Sequence, residues 1–356
     1  VNKPTIRIKD IAEKANVSIG TVDRVLHNRG RVSEEVRVKI LQIIEELDYQ
    51  PNMIARTLGT NRTYQIAALV PDGTIDPYWQ ESQNGIERAG KELQIYGMQI
   101  TQYRFNQHDA QAFIDQATAI THTTPDGILV APVFYRESLP FFEQWHALSI
   151  PFVLFNTQIE ESNSLSYIGQ DAFQSGSLAG KLLHYGQPEA CTFLVAHIAE
   201  DIANSAHLLG KEKGFRTYFS QHPALASSYK IISADLKEPG DISFFHQLDR
   251  LLDHYPDLKG IFVTTSKAYE IATYLQHTPE RNIRLVGYDL LEKNLAFMEE
   301  GLIDFIINQN PQGQGYWGIQ FLADHLVFKK RVAFRKNLPL DIITRENLAY
   351  YLEAAQ

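Results

Sequence analysis

The chain has 356 residues, 44% of them hydrophobic, and a formal charge of −9; this length exceeds what one hydrophobic core usually organises, so two or more domains are expected. No apolar run reaches the length of a bilayer-spanning helix, the N-terminal VNKPTIRIKDIAEKANV lacks the apolar core of a secretory signal, and the single Cys191 excludes an internal disulfide, which together predict a cytoplasmic protein. The charge is uneven, with 11 Lys/Arg against 8 Asp/Glu in residues 1–63 (+3) and 22 against 34 in residues 64–356 (−12), so a basic head can hold a polyanion while the acidic body stays clear of it.

The head reads as three short helices. Ile8, Ile11, Ala12 and Ala15 fall on one helical face, Asn16-Val17 breaks the pattern, and Ser18 is a good N-cap for a second helix whose Val22, Val25 and Leu26 turn inward. After HNRGR, Ser33 is expected to cap a third helix with Glu34 and Glu35 in its first turn and Val36, Ile40, Ile43, Ile44 and Leu47 as its buried stripe. Two short helices joined by a tight turn and braced by a third make a helix-turn-helix. In that motif the start of the second helix meets base edges in the major groove. Its outward residues here are Ile19, Gly20, Thr21, Asp23, Arg24 and His27. Arg24 can bridge guanine O6 and N7, Ile19 can touch a thymine methyl, and Gly20 permits close approach. A lone arginine is more often plain surface; the surrounding framework favours the sharper reading of Arg24.

That framework, IKDIAEKANVSIGTVDRVLHNRGRVSEEVRVKILQIIEELDYQPNMIARTL over residues 8–58, resembles the lactose and galactose repressor family nearly throughout. The resemblance implies a sequence-specific, DNA-binding transcription regulator with a head at 1–49 and a hinge helix and linker at 50–62. In YQPNMIARTL, Pro51 can open the hinge helix, Ile54, Ala55 and Leu58 lie along one side, and Gly59 can end it. In the family, paired hinge helices of a dimer enter the minor groove and wedge a leucine between base pairs, and Leu58 matches that leucine. The implied DNA-contacting residues are Ser18, Ile19, Gly20, Thr21, Asp23, Arg24, His27, Arg31, Ser33, Asn52, Ala55 and Leu58. Asp23 departs from the family, which commonly has serine there; it either accepts from a cytosine amino group or pairs with His27 one turn on.

From residue 64 short apolar runs alternate with helical stretches. Strands are expected at 65–71, 98–105, 126–132, 151–156, 164–169, 190–196, 229–234, 258–264, 283–289 and 303–309. This alternation predicts parallel sheets covered by helices, in two lobes because the strands are too many for one modest sheet. Ligands of such folds bind at the carboxyl ends of strands, and two lobes can close on a ligand by a hinge. Cys191, inside CTFLVA, reads as a buried strand residue.

The body, roughly 64–345, resembles the periplasmic sugar-binding-protein fold that this repressor family uses to bind effectors, best in VGYD (286–289) and INQNPQGQGYWGI (307–319). The expected architecture is therefore an all-α helix-turn-helix head with a hinge helix, joined to a two-lobed α/β body of periplasmic-binding-protein type I character. The body (63–356) is expected to have a first lobe at about 63–160 and 290–322 and a second at about 161–289 and 323–345, with crossings near 157–163, 289–292 and 320–330. The resemblance implies an effector, most simply a sugar, and a homodimer on near-palindromic operator DNA. Tyr78 and Trp79 match aromatics that stack on a sugar's apolar face, or else serve the core. Asp289 and Gln309 match polar ligands at the ends of apolar strands, or else steady the hinge. Lys211 stands where relatives often carry arginine, without the planar fork. Asn156, Asp171, Asn204 and His207 complete the candidate set, and Ser266 replaces an aspartate of many sugar-binding relatives, which favours an unusual or less hydroxylated ligand; a regulator answering to a non-sugar effector such as a nucleoside is the alternative.

A rival reading is a nicotinamide-dependent enzyme, because GQGYWG (313–318) spells G-x-G-x-x-G after a strand and at the start of a helix. No full βαβ unit follows it, and KKRVAFRKN about twenty residues on offers no acid for a ribose, so its glycines are expected to serve helix packing. No G-x-S-x-G, H-E-x-x-H or Cys/His metal spacing occurs, and neither catalysis, a cofactor nor a metal is expected.

Overall fold

The computed structural model describes residues 6–26, 29–47, 62–199, 204–279 and 282–354. The chain divides into two compact units, Val1–Asn61 and Arg62–Gln356. His27 and the expected hinge helix, with Asn52, Ala55 and Leu58, lie outside the described residues.

In the first unit, α1 (Ile8–Ala15), α2 (Ile19–Leu26) and α3 (Glu34–Glu46) close on Ile11, Ala12, Ala15, Val22, Val25, Ile40 and Ile43. Asn16 ends α1 in the left-handed region at φ 58°, which asparagine tolerates better than most residues. Ser18 Oγ then accepts from the Thr21 backbone N–H at 3.2 Å, capping α2. Ser33 holds the N-cap position of α3, but its hydroxyl makes no capping hydrogen bond. The start of α3 rests instead on the acidic first turn of Glu34 and Glu35. Lys14 and Glu46, 2.8 Å apart, tie α1 to α3.

The second unit holds two six-stranded sheets. The first contains β1 (Tyr64–Pro71), β2 (Met98–Phe105), β3 (Gly127–Val130), β4 (Phe152–Phe155), β5 (Ser166–Gly169) and β11 (Arg335–Asn337), in the order β11-β5-β4-β3-β1-β2 and parallel throughout. The second contains β6 (Cys191–Ile198), β7 (Tyr229–Leu236), β8 (Leu258–Val263), β9 (Arg284–Tyr288), β10 (Phe305–Asn308) and β12 (Asp341–Ile343), in the order β12-β10-β9-β8-β6-β7, with only β12 antiparallel. All ten expected strands are present; the edge strands β11 and β12, three residues each, were not expected. Alternate residues of β1 feed opposite faces: Ile66, Ala68 and Val70 pack under α4 (Pro77–Leu93) and α13 (Pro311–Leu326). Ala67 and Leu69 pack under α5 (Ala110–Thr123) and α6 (Tyr135–Ala147). The second sheet is covered by α7 (Ala172–His184) and α8 (Ala206–Ser220) on one face. On the other lie α10 (Ile242–His254), α11 (Ala268–Gln276) and α12 (Glu292–Glu299), while α9 (Pro223–Ser228) and α14 (Leu348–Ala354) are peripheral. Burial pushes the Cys191 thiol up to about 11, so it is an inert strand residue.

The lobe boundaries differ from those expected. β5 and β11 belong to the first lobe, whereas α12 and β10 belong to the second. The chain therefore crosses at 170–171, 309–310 and 338–340. The 157–163 segment is a connection within the first lobe, anchored by buried Ile159, and 289–292 is the turn from β9 into α12. A βα turn and a lobe crossing both read as a polar break after an apolar strand, so sequence alone does not separate them. Gln170 joins all three crossings, donating from Nε2 to the carbonyls of Asn308 (2.7 Å) and Pro339.

The GQGYWG glycines lie in α13, where Gly315 meets α4 and Gly318 meets Leu129 of β3. A Cβ on Gly315 would stand 2.2 Å from Ser82 O, and one on Gly318 would stand 2.4 Å from Leu129 Cδ1. Packing on α4 therefore demands glycine at 315, whereas a Cβ at 318 would displace the Leu129 side chain. None of the described helices is long and apolar enough to cross a membrane.

Candidate functional site

The carboxyl ends of strands from both sheets face one another across a cavity of about 190 Å³. Eight of the nine expected effector residues line it: Tyr78, Trp79, Asn156, Asn204, His207, Lys211, Asp289 and Gln309. Asp171 does not. It is the N-cap of α7, accepting from Gln174 N at 3.0 Å, and it faces an adjoining pocket.

The aromatic wall follows from the turn after β1. Asp76 caps α4 by accepting from Tyr78 N at 3.0 Å, with Pro77 at the first helical position. That geometry fixes Tyr78 and Trp79 at the cavity edge, buried and packed edge-to-face at 4.9 Å. Gln107 accepts from Trp79 Nε1 and donates to Asp76 Oδ2 at 2.6 Å, so the indole is held by a residue that sequence reasoning missed. Asn156, left-handed at φ 66°, donates to Tyr78 Oη at 2.6 Å.

The polar wall centres on Asp289, which is 1% exposed and left-handed at φ 67°. Asn294 secures this turn by donating to the carbonyls of Ser266, Tyr288 and Asp289 at 2.8, 2.9 and 3.1 Å. Gln309 donates twice to the carboxylate, from its side chain at 2.7 Å and from its backbone at 3.1 Å. Burial lifts the Asp289 carboxyl to about 6, against the pull of the Lys211 ammonium and of the Gln309 hydrogen bonds. Lys211 is itself buried, donating to Thr264 O at 2.9 Å and lying 3.6 Å from the centre of the Tyr288 ring. Behind it His197 joins Thr264 Oγ1 to Glu212, both at 2.8 Å. Ser266 lines the cavity beside Thr265.

Two contacts close the lobes over the cavity. Asn204 accepts from Arg136 N at 3.0 Å and donates to Glu137 Oε2 at 2.8 Å, both at the start of α6. His207 meets Thr157 Oγ1 at 3.1 Å. Burial, with Lys211 and His197 nearby, pushes the His207 imidazole down to about 3, so it is neutral in any ordinary buffer. Asn204 and His207 are thus lobe-to-lobe contacts that also line the cavity. Asp76, Gln107, His108, Val133, Phe134, Ala199, Ser205, Thr264 and Thr265 complete the wall. Several follow strand ends directly, and that position was the usable signal for them.

On the head, Ile19, Gly20 and Arg24 are exposed along α2, with Thr21 and Asp23 partly so; Arg31 and Ser33 are exposed in the segment before α3. Arg24 is folded onto its own helix, donating from Nε to Gly20 O at 3.0 Å and from Nη2 to Thr21 Oγ1 at 3.4 Å.

Comparison with known proteins matches residues 7–52 to the bacterial regulatory proteins of the lacI family and residues 66–330 to a periplasmic binding protein domain. A ribose operon repressor of Halalkalibacterium halodurans is 25% identical over 95% of this chain and 96% of its own. A candidate LacI transcriptional regulator from Bacteroides fragilis is 30% identical with a TM-score of 0.74, over 82% of this chain and all of that one. A glucose-galactose binding protein from Geobacillus stearothermophilus, 22% identical, shares the body fold with a TM-score of 0.71 over 81% of this chain and 99% of its own. With a reading head and a two-lobed binding body on one polypeptide, the chain belongs to the lacI family of bacterial regulatory proteins and is a DNA-binding transcription regulator.

Proposed function

We propose that this regulator represses its target genes in the cytoplasm as a homodimer on a near-palindromic operator, and that a neutral sugar bound between the lobes controls its operator affinity. The observation that carries the reading is the cavity itself, with an aromatic pair at one wall and the Asp289–Gln309 pair at the other. A sugar offers an apolar C–H face to the first and hydroxyl donors and acceptors to the second. The volume suits one small polar molecule; drug-sized pockets run to roughly 300–1,000 Å³. Asp76 and Asp289 oppose the single ammonium of Lys211, and His207 is neutral, so an anionic ligand gains no net attraction. The names of the relatives point the same way, one to a ribose operon and one to a glucose- and galactose-binding protein.

At the operator, Arg24 is proposed to read a guanine and Leu58 to act as the minor-groove wedge, with Ser18, Ile19, Gly20, Thr21, Asp23, His27, Arg31, Ser33, Asn52 and Ala55 contributing bases or phosphates around them. The closing lobes convey the effector's presence, because a ligand changes DNA affinity only by binding the two lobe arrangements unequally. The test is a thermal-shift screen of neutral sugars, sugar phosphates, sugar acids and nucleosides against the full chain. At ligand concentrations a hundredfold above Kd, specific binding stabilises by about 2.7 kcal/mol, a readily measured rise in Tm. A neutral sugar is expected to give it. A shift confined to sugar phosphates or nucleosides would overturn the neutral-sugar reading.

A further inference from the structure

Beside the effector cavity, on the side where the chain crosses between lobes, lies a second cavity of about 310 Å³. Asn156 and His207 line both cavities. Thr157 connects these two residues, donating from Oγ1 to Asn156 Oδ1 at 3.2 Å and meeting His207 Nδ1 at 3.1 Å. Since Thr157 has one proton to give, the neutral His207 must carry its own proton on Nδ1, so Nε2 remains an acceptor. Thr157 belongs to the first lobe and His207 to the second, so this hydrogen-bonded divider parts when the lobes open.

The second cavity has its own chemistry. Gln170 is buried with both Nε2 bonds committed to crossing carbonyls, and its Oε1 has no hydrogen-bond partner among the described residues. That acceptor is closed off while the lobes are shut, so it gains a partner once they part, from a ligand that brings a hydrogen, as a hydroxyl does and a phosphate oxygen does not. Glu160 and Asp171 face the cavity against the single guanidinium of Arg335, which leaves an excess of negative charge and disfavours an anion. Phe173 adds an aromatic wall on which the C–H face of a ring can rest. These preferences repeat those of the effector cavity: neutral, hydroxylated, with one apolar face.

We propose that the hinge-side cavity is a second sugar-ring compartment, and that the effector is a neutral disaccharide or glycoside with one ring at Tyr78–Trp79 and the other beside Gln170, Phe173 and Arg335. This rests on the sugar reading above and narrows it. The linking atoms pass where Thr157 and His207 now touch, so the ligand enters the open form and replaces that contact with its own hydroxyls.

The test is titration calorimetry of the full chain with glucose, galactose, ribose and fructose, with sucrose, maltose, lactose and trehalose, and with glucose 6-phosphate. At least one disaccharide is expected to bind about tenfold or more tighter than either of its component sugars, a difference of about 1.4 kcal/mol. Ala172→Trp, which fills the hinge-side cavity, should abolish that advantage while leaving monosaccharide affinity within about twofold. If Ala172→Trp does not fold, Arg335→Ala at the exposed edge strand should lower disaccharide affinity alone. Equal binding of disaccharides and their component sugars overturns the proposal, as does an unchanged disaccharide advantage in whichever of these variants folds. A chain that binds only monosaccharides overturns this inference and leaves the sugar reading standing. A chain that binds no neutral sugar overturns both.

Discussion

A carboxylate 1% exposed, with both oxygens held by Gln309, is an expensive group to retain in a cavity unless something donates to its remaining lone pairs. Asp289 is therefore the residue on which effector recognition should be most sensitive to pH. Its carboxyl sits near 6 in the free protein because burial disfavours the charge. A sugar hydroxyl donates to the ionised form, so bound effector lowers that value. Affinity should be flat above about pH 7 and fall as the pH drops through 6, approaching about tenfold per pH unit as protonation competes with binding. Calorimetry between pH 5 and 7.5 reads this directly; His207, already neutral, adds nothing in that range. A flat profile would mean that Asp289 accepts nothing from the effector. On the head, Arg24 must exchange its bonds to Gly20 O and Thr21 Oγ1 for a guanine. Arg24→Ala should cost about 1–3 kcal/mol on the operator and relax preference at one base pair per half-site. Mobility-shift titration of single-base operator variants measures both, and an unaltered base preference would confine Arg24 to the backbone. Asp289, Gln309, Tyr78 and Trp79 were legible because each ends or follows an apolar strand. Gln107 was not, since it sits in a polar loop with no periodicity, and its partner Trp79 lies 28 residues away.

Among the elements, α7 and α8 approach closely because glycine sits at both contact points. A Cβ on Gly176 would fall 1.8 Å from Lys211 O, and one on Gly214 would fall 1.9 Å from Phe173 O. Gly176→Ala must separate the helices and shift the backbone that carries Lys211 into the cavity. It should lower stability by about 1–3 kcal/mol and weaken effector binding together with it. Thermal unfolding and calorimetry on the same sample check this, and an unchanged Tm would show that the helices slide apart freely. The strands themselves were readable in sequence because both faces of each central strand are covered, which demands unbroken apolar runs. β11 (RKN) and β12 (DII) were not, because a three-residue strand at an edge is too short to form a run; the longer edge strands β2 and β7 still carry one. The crossings were misplaced for a related reason. What makes 170–171 a crossing is Gln170 reaching Asn308 and Pro339, more than 130 residues away, and a local pattern holds no trace of such contacts.

For the whole molecule, the proposed mechanism needs the cavity in the body to be coupled to the head through the lobes. Allosteric couplings of this kind are typically about 1–3 kcal/mol, or some 5–150-fold in affinity. Asp289 and Gln309 suit that coupling: Gln309 stands at a crossing and Asp289 is bonded to it twice, so a ligand drawing on Asp289 acts on the hinge. The resemblance to a paired-head family further predicts two heads per operator, so the full chain should bind a palindrome as a dimer and lose most affinity on an isolated half-site. The most direct measurement is operator affinity at fixed salt, with and without the sugar found by screening, for the wild type and for Asp289→Ala. The wild type should change its operator affinity at least about fivefold on adding the sugar. Asp289→Ala should match the sugar-free wild type and show no response to sugar. An equal response in both proteins would contradict control through this cavity, and loss of operator binding by Asp289→Ala both with and without sugar would show the carboxylate to be part of the fold instead.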